Sequence, residues 1–481
     1  MEKLNVDCLV LIFNELRESK KSLYSCILVN REWCHLVVPI LWSNYQYILR
    51  EKSRKKFSNT ILSCLPTSSK QLLFDNAISL PSTVFSKPPT FNYVSLCKFL
   101  RVEIIDNIIR VVLLKQGISK NIDYLQKREL LEQEIYKLFI SQCKNIKELI
   151  WRTSQHLALF PGALTCFSQL YSLNIDLHYV NSDNLYEMAQ ICKNLGELVI
   201  DNCSQDNPGL IFLIDIQRNL KSVSFNFLIK KGTCEGLSNA IARKGCAINN
   251  LSLDNSIDII SHSFLTSLIN LKYLTIYDDC ESIEGIKEFH KFLANSRLPN
   301  LQFLSIEIDL LCFKELATLI ENTKGNISCI SVYTYNKSVE STGMLLKAIY
   351  NHCPKIENLA TYIVPSDLIY VKSLVMNCRN LINLSLILKN LNEDGDVGDE
   401  LLDILTKFSS KYLAHIRISG VWNYSIDAFE KYFESYRGRK LFSFYIYEYP
   451  KGSITTEHAK IVRKYFNEGI IVNSNLKYLF N

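Results

Sequence analysis

From residue 146 onward one spacing recurs so often that it restricts the chain to a stacked array. A leucine-type residue is followed by two others, a second apolar residue, one other, and a third apolar residue. It reads Ile146/Leu149/Trp151, Leu170/Leu173/Ile175, Leu195/Leu198/Ile200, Leu220/Val223/Phe225, Ile248/Leu251/Leu253 and Leu271/Leu274/Ile276. It continues as Leu301/Leu304/Ile306, Ile327/Ile330/Val332, Ile356/Leu359/Thr361, Leu381/Leu384/Leu386, Leu413/Ile416/Ile418 and Leu441/Phe444/Ile446. These twelve copies start 23 to 32 residues apart and span 295 residues over 11 intervals, a mean period of about 27 residues. The second and third apolar positions are two apart, so both point inward from a short strand while the residue between them faces the other way.

Between these strands the period becomes helical. Leu185, Met188, Ala189, Cys192 and Leu195 share one stripe, with Ser182 as the expected cap, and Ile286, Phe289 and Leu293 repeat the pattern. Strand then helix, repeated, resembles an irregular leucine-rich-repeat solenoid, with short parallel strands on the concave face and helices on the convex face. The asparagine that such repeats often place after the strand is mostly missing, although Asn202-Cys203 comes close. Thr456 to Val472 reads as a closing helix and strand that cap the far edge.

The N-terminal 42 residues follow another rule. Leu9, Ile12, Phe13 and Leu16 fall at i, i+3, i+4 and i+7, one stripe of a helix that Asn5 can cap and that carries Asp7 in its first turn. A second amphipathic piece holds Leu23, Cys26 and Ile27, and a third runs from Arg31 to Trp42. A core of about 40 residues is near the limit for independent stability, which points to a partner.

The order Leu4, Asp7, Leu9, Ile12-Phe13, Leu16, Leu23, Cys26, Val29-Asn30-Arg31, Trp33, Pro39, Leu41-Trp42 resembles an F-box, the three-helix module that docks a Skp-family adaptor in cullin-RING ubiquitin ligases. Asn5 stands where that family usually has proline. The resemblance implies that Leu4, Leu9, Ile12, Phe13, Leu16, Val29, Trp33, Leu41 and Trp42 supply the module's core and adaptor-binding face, which sequence does not sort from each other. It also implies a non-catalytic substrate-recognition subunit, holding the adaptor, and through it a cullin, at one end and a target protein at the other. The alternative is an interaction scaffold outside any ligase, with these helices as a cap.

The domain reading is therefore an F-box at 1–45, a linker with connecting helices at 46–120, and a repeat array with capping helices at both ends at 121–481. The basic run from Arg50 to Lys56 reads as a solvated linker face, or else as a nuclear address or phosphate-binding patch. Residues 57–100, with Pro66, Pro81, Pro88 and Pro89, read as irregular, while Asn92 to Gln116 and Tyr124 to Cys143 read as helices that start the array.

Residues outward from each strand give a candidate target-binding strip. The middle column is mostly small: Asn174, Val199, Ser224, Ser252, Thr275, Ser305, Ser331, Ala360 and Ser385. The next outward positions are acidic early, at Asp176, Asp201 and Asp254, then mixed at Tyr277, Glu307, Tyr333 and Tyr362, and end at Tyr445 and Tyr447. Tyrosines are frequent interface anchors, although an ordinary solvated strand face has the same composition.

Chemistry that needs a dedicated site is not legible. The 16 cysteines include no Cys-x-x-Cys pair, and there is no Gly-rich phosphate loop, His-Glu-x-x-His or Gly-x-Ser-x-Gly. Cys143, Cys192, Cys353 and Cys378 each stand three residues before a repeat's first apolar position, which suits a small buried thiol at a helix-to-strand corner. Asn392 to Glu400 is acidic and glycine-bearing but lacks calcium-loop spacing, and reads as a surface loop. No cofactor or metal is expected, and a cysteine-dependent ubiquitin-transfer enzyme is disfavoured. Lys and Arg exceed Asp and Glu by only 6, so no nucleic-acid partner is expected, and no run of about 18 apolar residues occurs, so no membrane partner is expected either. Free thiols and the lack of an apolar leader point to a cytoplasmic or nuclear location.

Overall fold

The computed structural model describes residues 4–43, 51–82, 84, 89–113, 122–228, 232, 234–279, 282–308, 313–334, 339–389, 397–447 and 454–478. The chain divides into two compact units, the first covering 1–202 and 207–220, the second covering 203–206 and 221–481.

The first unit opens with three helices, α1 (Val6–Glu15), α2 (Lys20–Ile27) and α3 (Arg31–Ser43). Asn5 caps α1 by accepting the Asp7 amide, and Asp7 lies in the first turn, where the helix dipole favours its charge. Leu9, Phe13, Leu23 and Val37 form the centre of this module, with Leu16, Trp33 and Leu41 packed around them. Ile12 does not join them: 45% exposed, it turns away from the core its spacing suggested.

Residues 57–75, expected to be irregular, are largely helical in α4 (Glu51–Ser63) and α5 (Thr67–Asp75). Phe57, Ile61 and Leu62 bury one face of α4, and Lys55 and Lys56 of the basic run stay exposed on the same helix. Arg50 lies outside the described residues. Pro66 starts α5 instead of breaking it, because its missing amide falls where a helix has no acceptor to offer. The helix expected from Asn92 begins only at α6 (Val102–Leu113); before it, Phe99 and Leu100 form a two-residue strand, β1. A strand this short carries no period to read.

After α7 (Ile122–Gln142) the unit alternates β2 (Glu148–Trp151), α8 (Ala163–Phe167), β3 (Ser172–Asp176), α9 (Ser182–Ile191), β4 (Glu197–Cys203) and α10 (Pro208–Ile216). Strands β1 to β4 pair in order, all parallel, with Leu149, Leu173 and Leu198 in one row and Trp151, Ile175 and Ile200 in the next. The α9 cap is Asn181, not Ser182: Asn181 and Asn184 exchange side-chain-to-amide bonds, while the Ser182 hydroxyl accepts the Gly209 amide at 2.8 Å.

The second unit continues the alternation with β5 (Ser222–Phe227), α11 (Glu235–Arg243), β6 (Asn250–Asp254), β7 (Tyr273–Asp278), α12 (Ile283–Asn295), β8 (Phe303–Ile308) and α13 (Phe313–Glu321). Next come β9 (Cys329–Tyr333), α14 (Thr342–His352), β10 (Asn358–Ile363), α15 (Leu368–Asn377) and β11 (Asn383–Leu388). The unit closes with α16 (Val397–Phe408), β12 (His415–Ser419), α17 (Ile426–Glu434), β13 (Leu441–Tyr447), α18 (Thr456–Asn467) and β14 (Ile471–Ser474). Each strand again pairs in parallel with the next. All twelve sequence motifs lie on strands β2 to β13, and their second and third apolar residues are buried throughout. Val397 to Glu400, expected in a loop, opens α16, while 390–396 lie outside the described residues.

The corner cysteines are buried as expected. The Cys143 thiol donates to the Val94 carbonyl at 3.0 Å and Cys192 to that of Phe167 at 3.4 Å. Burial pushes the thiols of Cys192, Cys353 and Cys378 up to about 12. Among the described residues, no helix is long and apolar enough to cross a membrane and no group of three or more His, Cys, Asp or Glu is placed to hold a metal ion.

Candidate functional site

In each unit the helices cover one strand face and leave the other open. On the open face of the second unit, parallel register arranges outward side chains in columns. The middle column runs Ser252, Thr275, Ser305, Ser331, Ala360, Ser385, Arg417 and Tyr445. A parallel column, two residues earlier in each strand, runs Cys329, Asn358, Asn383, His415 and Ser443 across β9 to β13. Small middle-column residues leave a groove of about 340 Å³ over these five strands, bounded by Tyr333 at one end and by Arg417 and Tyr445 at the other.

The polar lining of this groove is partly ordered in advance. The Asn383 side-chain amide donates to Asn358, and His415 Nδ1 lies 2.9 Å from the Ser443 hydroxyl. Tyr445 and Tyr447 stack with ring centroids 6.2 Å apart and planes 12° apart, and the Arg417 guanidinium lies 5.9 Å from the Tyr447 ring. Arg417 is exposed. A shallow groove with a small floor, side-chain amides and flanking aromatics suits an extended polypeptide, whose backbone the amides can bond and whose side chains the aromatics can cover.

The sequence-expected strip is divided by the structure. Tyr277 and Tyr447 are exposed, and Tyr333, Tyr445, Asp254 and Glu307 are half-buried on the open face. Tyr362 is turned in, only 4% exposed, with its hydroxyl tied to the backbone of Thr334. Asp176 is likewise 8% exposed and spent on internal bonds, from the His178 amide at 2.9 Å and the Asn202 side chain at 2.5 Å. Asp201 pairs with Arg152 at 3.2 Å. Sequence reading missed Asn358, Asn383, His415, Arg417 and Ser443. Extending the column count past Ser385 by one strand would have found Arg417.

The N-terminal candidates also separate. Leu9 and Phe13 are buried in the module, Leu16, Trp33 and Leu41 are partly buried, and Leu4, Ile12 and Val29 are exposed. Trp42 packs elsewhere, stacked on Phe57 at 5.2 Å and against Tyr93 at 4.4 Å.

No family model matches this chain, and no curated protein is similar to it in sequence. Among solved structures, it is similar to the leucine-rich repeat-containing protein LegL7 from Legionella pneumophila, at 12% identity over 62% of this chain and 91% of that one, with a TM-score of 0.29. Its own strand register and recurring motif make each unit an α/β array of leucine-rich-repeat-like architecture.

Proposed function

We propose that this chain is a non-catalytic scaffold with two protein-docking ends, acting as a substrate receptor of a cullin-RING ubiquitin ligase in the cytosol or nucleus. The observation that carries the adaptor end is the apolar surface of the three-helix module. Leu4, Leu11, Ile12, Leu28 and Val29 are all 45–85% exposed within 26 residues. So many exposed large apolar side chains in so short a stretch support a docking role for this module. Leu9, Phe13, Leu16, Trp33 and Leu41 hold the helices so that Leu4, Ile12 and Val29 meet the Skp-family adaptor.

The target end is the open strand face of the second unit. Asp254 and Glu307 stand over β6 and β8 and Arg417 over β12, so an extended target segment would lie with its basic part toward β6 and its acidic part toward β12. Tyr277, Tyr333, Tyr445 and Tyr447 supply aromatic contacts along it. The scaffold would then act by proximity, raising the local concentration of a target lysine beside a ubiquitin-charged enzyme brought by other subunits.

The second reading keeps the strand face and drops the adaptor; Asn5 in place of the family's proline favours it. A pull-down with purified Skp-family adaptor separates the two. Capture by the native chain, lost in Ile12→Asp/Val29→Asp with unchanged circular dichroism, supports the receptor; no capture by folded native chain leaves the scaffold. Leu9 is unsuitable for this test because it is a core residue.

A further inference from the structure

We propose that the groove over β9 to β13 selects an unmodified acidic side chain, a glutamate or aspartate, carried by an extended segment, with no need for phosphorylation; this rests on the docking role proposed above for the open strand face. The groove crosses four strand spacings of about 4.8 Å, about 19 Å in all, which an extended chain rising about 3.3 Å per residue covers with about six residues.

The charge of the lining is one-sided. Arg417 is the one Lys or Arg among the lining residues, and no Asp or Glu lies among them. The guanidinium is exposed, and the Tyr447 ring beside it, at 5.9 Å, brings no counter-charge. Among the described residues, no carboxylate forms an ion pair with Arg417. One guanidinium matches one carboxylate in charge and offers it a two-pronged N–H fork. A phosphoserine carries about two negative charges at pH 7 and is met by clustered arginines, of which this groove has a single one.

The rest of the lining suits the main chain of such a segment. Ser331, Ala360 and Ser385 stand side by side on β9, β10 and β11 and keep the floor low. The Asn383 side chain donates to that of Asn358, which leaves the Asn358 NH₂ group as a donor and the Asn383 carbonyl oxygen with further accepting capacity. A donor and an acceptor on neighbouring strands complement the C=O and N–H of an extended backbone. Arg417 stands on the next strand, directly beside Ser385, so the acid falls close to the bonded part of the segment.

Random dodecapeptides displayed on phage and selected on the full chain test this. Clones that still bind the folded Ala360→Tyr chain, whose added ring fills the groove floor, are discarded. The surviving clones should share one Asp or Glu. In the tightest of them, made as a free peptide, changing that residue to its amide should weaken binding about tenfold, and changing it to phosphoserine should not strengthen it. Arg417→Gln should bind the acid and amide peptides equally. No groove-dependent clone from the folded native chain would overturn the docking role together with this proposal. Clones without a shared acid, an acid preference that survives Arg417→Gln, or phosphoserine binding tenfold tighter than the acid would overturn the proposal and leave the docking role standing. Arg417 is exposed, so its replacement keeps the fold, and its result stands if Ala360→Tyr fails to fold.

Discussion

The hydroxyl of Tyr362 donates to the carbonyl oxygen of Thr334 at 2.6 Å and accepts the backbone amide of the same residue at 3.0 Å. One side chain thus satisfies both main-chain groups of a residue 28 positions earlier, at the end of β9. The contact converts an apparent surface tyrosine into a clamp between neighbouring repeats.

Tyr362→Phe keeps the ring and removes both hydrogen bonds to the Thr334 backbone, which costs about 1–3 kcal/mol. The denaturation midpoint in urea should fall accordingly. Burial raises the Tyr362 hydroxyl above the ordinary tyrosine value, so the folded state keeps this proton at a pH where the unfolded chain has released it. Its contribution is complete below about pH 10 and is lost as pH rises further. A stability profile from pH 8 to 11 that falls equally steeply in native chain and Tyr362→Phe would contradict the clamp.

His262 has the opposite sign. Its ring is buried, with Nε2 2.9 Å from the Ser256 hydroxyl and a perpendicular contact to Phe289 at 5.0 Å. Burial lowers its pKa from 6.5 to about 4. The unfolded chain therefore binds this proton first, and stability, fully present above pH 6.5, is lost as pH falls toward 4. The loss from this group is on the order of 3 kcal/mol. His262→Gln should flatten the profile between pH 6.5 and 4, measured by guanidinium unfolding; an unchanged slope would show that His262 is not the group responsible.

The cysteines should divide by environment. Cys8 and Cys246 are exposed, while Cys143, Cys192, Cys353 and Cys378 are buried with raised thiol pKa. Brief treatment of native protein with N-ethylmaleimide at pH 8, read by peptide mass spectrometry, should modify Cys8 and Cys246 and spare the other four until denaturant is added. Labelling of the corner thiols at the rate of Cys8 would mean that the repeats open locally on the labelling timescale.

The repeat positions were legible because they depend on local geometry. In a strand, alternate side chains leave the backbone in opposite directions, so Leu173 and Ile175, or Leu384 and Leu386, had to share a face. The closing α18 and β14, the buried corner thiols and the stripe of Ile286, Phe289 and Leu293 followed from the same two periods. The candidate faces were less legible. The column rule located Tyr333 and Tyr447 correctly on the open side, and carried far enough it also contained Arg417.

What the sequence by itself determined was the direction in which each side chain leaves its own strand or helix. What it meets there was decided only by tertiary structure. Tyr362 leaves β10 on the open side, yet it is buried because the Thr334 backbone, a full repeat away, lies within reach of its hydroxyl. Asp176 is closed off by Asn202, and Ile12 stands exposed because the module's core is filled by Leu9, Phe13, Leu23 and Val37. The two-residue β1 forms only because β2 offers it a partner. Burial, hydrogen bonding and charge balance depend on neighbours distant in sequence, and no local period encodes those.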